Sequence, residues 1–319
     1  MPKPPYDLPR HRTVAHLHVL NCLNTLLELP EKSEPIRILD IGCGNGEFMA
    51  YLQKALTVIH PEQNFELYGF DIADYGWGES EEYQRAIKAL ETDCPGIEWR
   101  ERLVSITGEE AWPFPDDYFD AAVSTFVIEH VPDMDHFLAN LGRVVRPEGQ
   151  SIHIFPLVNM LYEGHIDVPL AHWFKDINGQ SAWITLANRL GIGRWKKDRE
   201  IFGISSLKEY GEHQAAYLHS GTHYRNLKVL HQLCRKHGLS LSHRFTRDFY
   251  RVKLNQILKR PQTVSHKREK NALISNLSFL LLRHVSAVTL DIRHVSYDLG
   301  ARKHAQQASA KPELKAAAQ

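Results

Sequence analysis

Two stretches of this 319-residue chain carry residue types and spacings suited to chemistry. The first is Asp40-Ile41-Gly42-Cys43-Gly44-Asn45-Gly46, three glycines on alternate positions directly after an apolar run that ends in an acid. Only glycine lets a backbone turn this tightly after a buried strand and lie flat against a ligand. A second acid, Asp71, closes the next apolar run, where a carboxylate can accept hydrogen bonds from the two hydroxyls of a ribose. The pair points to a nucleoside cofactor. The second stretch is Tyr162-Glu163-Gly164-His165-Ile166-Asp167-Val168-Pro169-Leu170-Ala171-His172-Trp173-Phe174, which brings histidines and acids close together. A histidine near its ordinary pKa can take a proton from a hydroxyl, and a neighbouring carboxylate can orient its ring. His165 is the expected base, with Glu163 or Asp167 as its orienter, and His130 is a further catalytic candidate. Asp167, His172 and Trp173 are expected to face a substrate. Glu163, His165 and His172 lack helical or hairpin ligand spacing, so no metal is expected.

These residues need a scaffold. Strands are predicted at 36–41, 66–71, within 97–106, at 119–124 and at 150–155, alternating with helices near 47–58, 79–91 and 133–145. Such alternation implies an α/β fold, a Rossmann-like, mainly parallel seven-stranded sheet with helices on both faces. Alternation stops at Pro156. An insertion after the fifth strand follows, rich in Trp, His, Gly and Tyr, with helix-like runs near 181–190 and 206–218. Trp173, Trp183 and Trp195 are read as the small core of that insertion. Thr222 is expected to cap a helix running to His237, and 239–249 to be a strand. A helix-like run at 271–284 and an antiparallel last strand at 288–295 complete the pattern. The expected organisation is an N-terminal helix and tail (1–30), a cofactor-binding core (31–156), a lid or substrate insertion (157–220), a C-terminal completion of the sheet (221–299) and a disordered Ala/Lys/Gln-rich tail (300–319).

The glycine loop resembles the first motif of class I S-adenosylmethionine-dependent methyltransferases, of the type 11 kind, and the resemblance runs over roughly 36–156. Four further matches support it: Asp71; Trp112-Pro113-Phe114-Pro115 leading to Phe119-Asp120; Val127-Ile128-Glu129-His130-Val131-Pro132-Asp133; and Arg146-Pro147-Glu148-Gly149. The resemblance implies S-adenosyl-L-methionine as cofactor, held by Asp40, Gly42, Cys43, Gly44, Gly46, Asp71 and Ile72. The family's adenine-contacting acid falls on Gly108, and Glu109 or Glu110 is expected to substitute for it. The residues themselves favour this cofactor over a dinucleotide: Glu47 sits where a pyrophosphate needs the third glycine of its fingerprint, whereas a sulfonium tolerates nearby carboxylates.

Lys plus Arg and Asp plus Glu both total 38, which gives no reason to expect nonspecific attraction to nucleic acid. The segment 253–270 is basic and is read as a solvated loop. Four scattered cysteines suggest neither a disulfide framework nor a zinc module. No signal peptide or transmembrane segment is apparent, so a cytoplasmic protein is expected. The functional expectation is methylation of a hydroxyl on a small molecule or glycan. The alternatives are a catalytically inactive cofactor-binding regulator or scaffold and, disfavoured by Glu47, a nicotinamide oxidoreductase. Ser124-Thr125-Phe126-Val127 stands where a base-amino methyltransferase needs an Asn/Asp-Pro-Pro-aromatic sequence, which counts against that acceptor. The oligomeric state is left open.

Overall fold

The computed structural model describes residues 8–10, 13–27, 34–73, 81–260, 264 and 272–295. Its strands are β1 (Ile36–Ile41), β2 (Phe65–Ile72), β3 (Leu103–Ile106), β4 (Phe119–Thr125), β5 (Val145–Pro156), β6 (Tyr162–Glu163), β7 (Val168–Pro169), β8 (Leu239–Ser242) and β9 (Ala287–His294). Its helices are α1 (Val14–Leu26), α2 (Glu47–Ile59), α3 (Glu81–Asp93), α4 (Met134–Val144), α5 (Ile177–Arg189), α6 (Trp195–Ile201), α7 (Leu207–Gly221), α8 (Leu227–Lys236), α9 (Thr246–Ile257) and α10 (Ala272–Leu282).

Seven strands make one sheet in the order β3-β2-β1-β4-β5-β9-β8. The expected mainly parallel α/β sheet is therefore present. β9 alone runs against the rest, inserted between β5 and β8 and antiparallel to both. In β1, Ile36, Ile38, Leu39 and Ile41 are almost wholly buried, as a strand covered on both faces requires. Each such side chain contributes about 1.5–3 kcal/mol on removal from water. One face of the sheet is sealed by α1, α2, α3 and α9, through residues such as Leu17, Met49, Leu90 and Phe249. The other is sealed by α4, α8 and α10, through Phe137, Leu141, Leu230 and Phe279. Asp120 fastens the middle, accepting from the Arg37 backbone N–H at 2.7 Å and pairing with Arg146 at 2.8 Å.

The order matters because the chain builds outward from β1 to β3, then returns to place β4 on β1's other side. At such a reversal the loops leaving β1 and β4 diverge and open a crevice at the strands' C-terminal ends.

Between β5 and α8 the insertion has a core of its own: Ile166, Val168, Ala171, Ile184, Ala187, Tyr210, Ala215 and Leu218, with Trp183 and Trp195 packed against it. Trp173, expected in that core, is instead 48% exposed. Two further expectations fail. Thr222 donates its hydroxyl to the Leu218 carbonyl at the end of α7, and Asn226, accepting from the Val229 N–H, caps the next helix. The run 239–249 is a four-residue strand followed by α9, because Thr246, Phe249 and Val252 bury at helical spacing. Lys253 accordingly lies in a helix rather than a loop, while 261–263, 265–271 and the proposed tail from 300 lie outside the described residues.

His153 on β5 is fully buried, with Nδ1 paired to the Ser124 hydroxyl at 2.8 Å and no partner for Nε2 among the described residues. Burial pushes its pKa from the ordinary 6.5 to about 3. The unfolded chain thus binds the proton first, so the ring's contribution to stability is complete above the ordinary pKa and is lost as pH falls toward the folded value. Relative to His153→Gln, wild-type stability should fall by about 1.4 kcal/mol per pH unit below that point. Denaturant unfolding at two pH values on either side of it measures this; parallel curves for the two proteins would refute it.

Candidate functional site

Gly42, Gly44 and Gly46 all sit at positive φ, 69°, 51° and 74°, so the bend after β1 is a run of left-handed positions that side chains disfavour. Asp71 at the end of β2 holds the bend in place. Its Oδ2 accepts from the Gly44 N–H at 2.8 Å and its Oδ1 from the Ile72 N–H at 2.8 Å. Each carboxylate oxygen has a second lone pair, so both can still accept from a ligand. Asp40 is 3% exposed, and its Oδ2 has no hydrogen-bond partner among the described residues. Burial, and then the charge of Asp71, raises the Asp40 carboxyl well above the usual carboxylate range. Two acids crowded in a poorly hydrated corner favour a cation beside them.

A cavity of about 660 Å³ opens at this corner. That is a normal size for a small-molecule site. Gly42, Asp71, Ile72, Thr107, Gly108 and Trp112 line one part of it, and Thr125, Phe126, Val127, His130 and Phe137 another, with Tyr217, Ser220 and Gly221 of the insertion at its border. A Cβ built on Gly44 would meet nothing within 4 Å, so a ligand can approach the main chain there. The unpartnered Asp40 oxygen, the bare loop and the acid pair fit the sulfonium nucleoside that the resemblance implies. Glu47 is the first residue of α2, as the argument against a pyrophosphate requires.

Of the expected cofactor residues, Gly42, Asp71 and Ile72 line the cavity, whereas Asp40, Cys43, Gly44 and Gly46 belong to the adjoining bend, where Gly44 faces open space. Glu109 and Glu110 do neither. Both are exposed, and the Glu110 carboxylate accepts from the Thr107 N–H at 2.7 Å, closing the turn that presents Thr107 and Gly108 to the cavity.

The residues expected to meet a substrate gather around Glu163, which is fully buried. Contrary to the spacing argument, β6 and β7 form a hairpin, with Glu163 opposite Val168. Glu163 Oε1 accepts from His165 Nδ1 at 2.6 Å and from the His165 backbone N–H at 3.0 Å, and its Oε2 accepts from the Tyr224 hydroxyl at 2.7 Å. Burial pushes the Glu163 carboxyl up, but the His165 and Tyr224 hydrogen bonds outweigh it and leave it below the usual range. His165 packs edge-on against His130, ring centres 5.1 Å apart, and His130 Nδ1 donates to the Gly221 carbonyl at 2.6 Å. The expected trio His165, Glu163 and His130 is thus brought together. Of the trio only His130 lines the cavity; His165 and Glu163 lie behind it, and His172, Trp173 and Asp167 are not among the lining residues either. His172 lies sealed behind Glu163 and bonds the Val158 carbonyl through Nε2, Trp173 points outward, and Asp167 bonds the Tyr162 hydroxyl in the hairpin turn.

Sequence reasoning missed Glu129 and Tyr224. Glu129 precedes His130, is 1% exposed, and is pushed by burial up to about 8. The signal for Glu129 was present, since a carboxylate next to a candidate histidine is itself a candidate. Tyr224, some sixty residues from its partners, left none. Phe126, also missed, holds φ at 58° on the cavity wall, a strained backbone for an aromatic residue.

The family model described as a methyltransferase domain matches residues 14–244. Among curated proteins, a ubiquinone/menaquinone biosynthesis C-methyltransferase UbiE from Methylobacterium nodulans is 30% identical over 141 residues, 44% of this chain and 47% of that protein. The mitochondrial arginine-hydroxylase NDUFAF5 of Rattus norvegicus is 29% identical over 161 residues, 49% of this chain and 40% of that protein. The chain spans less than half the length of these curated relatives. A solved S-adenosylmethionine-dependent methyltransferase from Mesorhizobium loti is 15% identical, covering 88% of this chain and 99% of that chain with a TM-score of 0.43.

The glycines should separate on substitution. A Cβ on Gly42 would lie 2.5 Å from Val127 Cγ2, whereas Gly44 faces open space. Gly44→Ala should therefore cost only the left-handed backbone, about 1–2 kcal/mol, and keep the fold. Gly42→Ala should cost more. Thermal melts rank the two, and calorimetry with S-adenosylhomocysteine should find ligand binding weakened in Gly44→Ala; equal melts, or undiminished binding, would contradict the geometry.

Proposed function

We propose, from the premise that this chain belongs to the methyltransferase-domain family of S-adenosylmethionine-dependent enzymes, that it methylates a hydroxyl group of a small molecule. The observation that carries this reading is a single cavity reaching from the Asp71 corner to His130, beside which His165 and Glu163 are joined. When bound, the cofactor supplies an electrophilic methyl group on cationic sulfur: the acceptor's O–C bond forms as the S–C bond breaks, the bonding pair returns to sulfur, and the hydroxyl proton is released.

The chain's own residues divide this work. Asp71 is proposed to take the ribose hydroxyls, with Ile72 as an apolar wall. Asp40, raised by burial, is proposed to gain a compensating cation when the sulfonium is bound beside it. Because transfer is an in-line displacement, the acceptor oxygen must be held on the opposite side of the methyl group. His130 lines that part of the cavity and His165 packs edge-on against it, and activation of the hydroxyl is proposed to centre on His165, whose Nδ1–H is fixed by Glu163. Tyr224 completes the frame by bonding the second Glu163 oxygen. Phe126, Val127, Val131 and Phe137 make much of the wall apolar, which suits a hydroxyl on an apolar body better than a glycan. UbiE, by its name, methylates carbon in quinone biosynthesis. Its similarity favours the same kind of apolar acceptor body.

Mass spectrometry of metabolite extracts incubated with the protein and S-adenosylmethionine should reveal a product heavier by one methylene. On that product His165→Ala should lower kcat by about 10²–10⁴-fold, the scale of lost proton-transfer assistance, with cofactor affinity unchanged. Asp71→Asn should instead weaken cofactor binding about 10-fold or more, the scale of a lost hydrogen bond to a charged group. An undiminished rate in His165→Ala would remove that residue from the reaction, and absence of cofactor binding in the wild type would remove the function.

A further inference from the structure

We propose that Glu129, His130 and His165 bind a single divalent transition-metal ion, with zinc as its model, on the acceptor side of the cavity. One ligand atom from each of the three lies within 4.8 Å of the others, close enough for all three to reach one ion.

Three features mark this as a binding site rather than a chance grouping. Glu129 is 1% exposed, yet neither of its carboxylate oxygens has a hydrogen-bond partner among the described residues. Burying a carboxylate without partners is costly, and a metal ion is a partner that would offset it. Each imidazole, moreover, is already pinned at Nδ1 by an oxygen: His130 donates to the Gly221 carbonyl at 2.6 Å and His165 to Glu163 Oε1 at 2.6 Å. Those acceptors fix the proton on Nδ1, leaving Nε2 with its lone pair. Metal-ligating histidines are held in the same way, through a carbonyl or carboxylate on the other ring nitrogen. The third feature is charge. Two buried acids, Glu129 and Glu163, adjoin the two rings, and a dication would compensate their charge.

Two imidazoles and one carboxylate suit zinc, iron(II), cobalt(II) or manganese(II) better than magnesium or calcium, which prefer oxygen alone. Three protein ligands leave coordination positions vacant, and His130 borders the cavity. Its role rests on the function proposed above, with His165 a ligand instead of the base when the ion is bound: a hydroxyl on the ion would ionise more readily and release its proton to solvent. Binding of the ion does not rest on that function.

The test uses the full chain stripped of metal and titrated with zinc chloride, followed by calorimetry and thermal melts, and separately with cobalt(II), whose visible bands report nitrogen and oxygen ligation. Wild type should bind one equivalent tightly and melt higher. Glu129→Gln, which keeps the shape and removes the charge, should weaken that equivalent about 100-fold or more and abolish the melting shift. Glu163→Gln, which loosens the hold on His165 without removing a ligand, should weaken it about 10–100-fold. No tight equivalent in wild type, or one that Glu129→Gln leaves intact, as ions on surface histidines would be, overturns the proposal. S-adenosylhomocysteine binding measured on the same metal-free samples separates the two readings: retained nucleoside binding without an ion site sinks this inference alone, and loss of both sinks the function as well.

Discussion

The hydrogen bond from the Gly44 N–H to Asp71 Oδ2 is the contact on which the cofactor end of this molecule depends. It ties the loop leaving β1 to the end of β2, so three left-handed glycine positions become one fixed surface. The cost of this arrangement is electrostatic. Asp71 is itself raised by burial, against the two backbone N–H bonds that lower it, and it raises Asp40 in turn. Without a ligand the corner holds two acids short of compensation. A cationic nucleoside supplies both the charge and the hydroxyl donors such a corner lacks, and a pyrophosphate would bring more negative charge to it.

At the other end of the cavity Glu163 has the corresponding part. It receives His165 and Tyr224, and His172 stands 3.6 Å away, so a two-residue strand in a small hairpin collects side chains from three segments of the insertion and its exit. The insertion's separate core makes that hairpin rigid enough to hold it. Arg225 then joins the two layers, donating to the carbonyls of Val131 and Pro132 after β4 and of His223 beside Tyr224. The loop carrying Glu129 and His130 is thereby fixed against the segment that carries Tyr224. Among the described residues no helix is long and apolar enough to cross a membrane.

The sequence made the cofactor half legible because its signals are local. Alternate glycines after an apolar strand have few other uses, and the acid ending β2 stands at a fixed distance along the alternating pattern. The half proposed to meet the acceptor depends on contacts between distant segments. His165 and Glu163 could be paired on sight because they are two apart, whereas Tyr224 and the close approach of His130 are products of folding. His172 was misplaced for the same reason: proximity in sequence put it beside His165, but the turn at Ala171–Trp173 carries it behind Glu163. The misread strand at 239–249 shows how short apolar runs mislead. Leu239 and Leu241 alternate as a strand, and Phe245 and Phe249 continue the apolar content at helical spacing; only the packing of Thr246 on Thr289 fixes where one becomes the other.

The central claim is that the bend after β1 exists to put main chain against a nucleoside whose ribose Asp71 receives. A crystal structure of the protein grown with S-adenosylhomocysteine tests it most directly. The account predicts ribose hydroxyls on the Asp71 carboxylate and the ligand lying along Gly42 to Gly44. A nucleoside bound elsewhere, or a cavity left empty at saturating ligand, would contradict it.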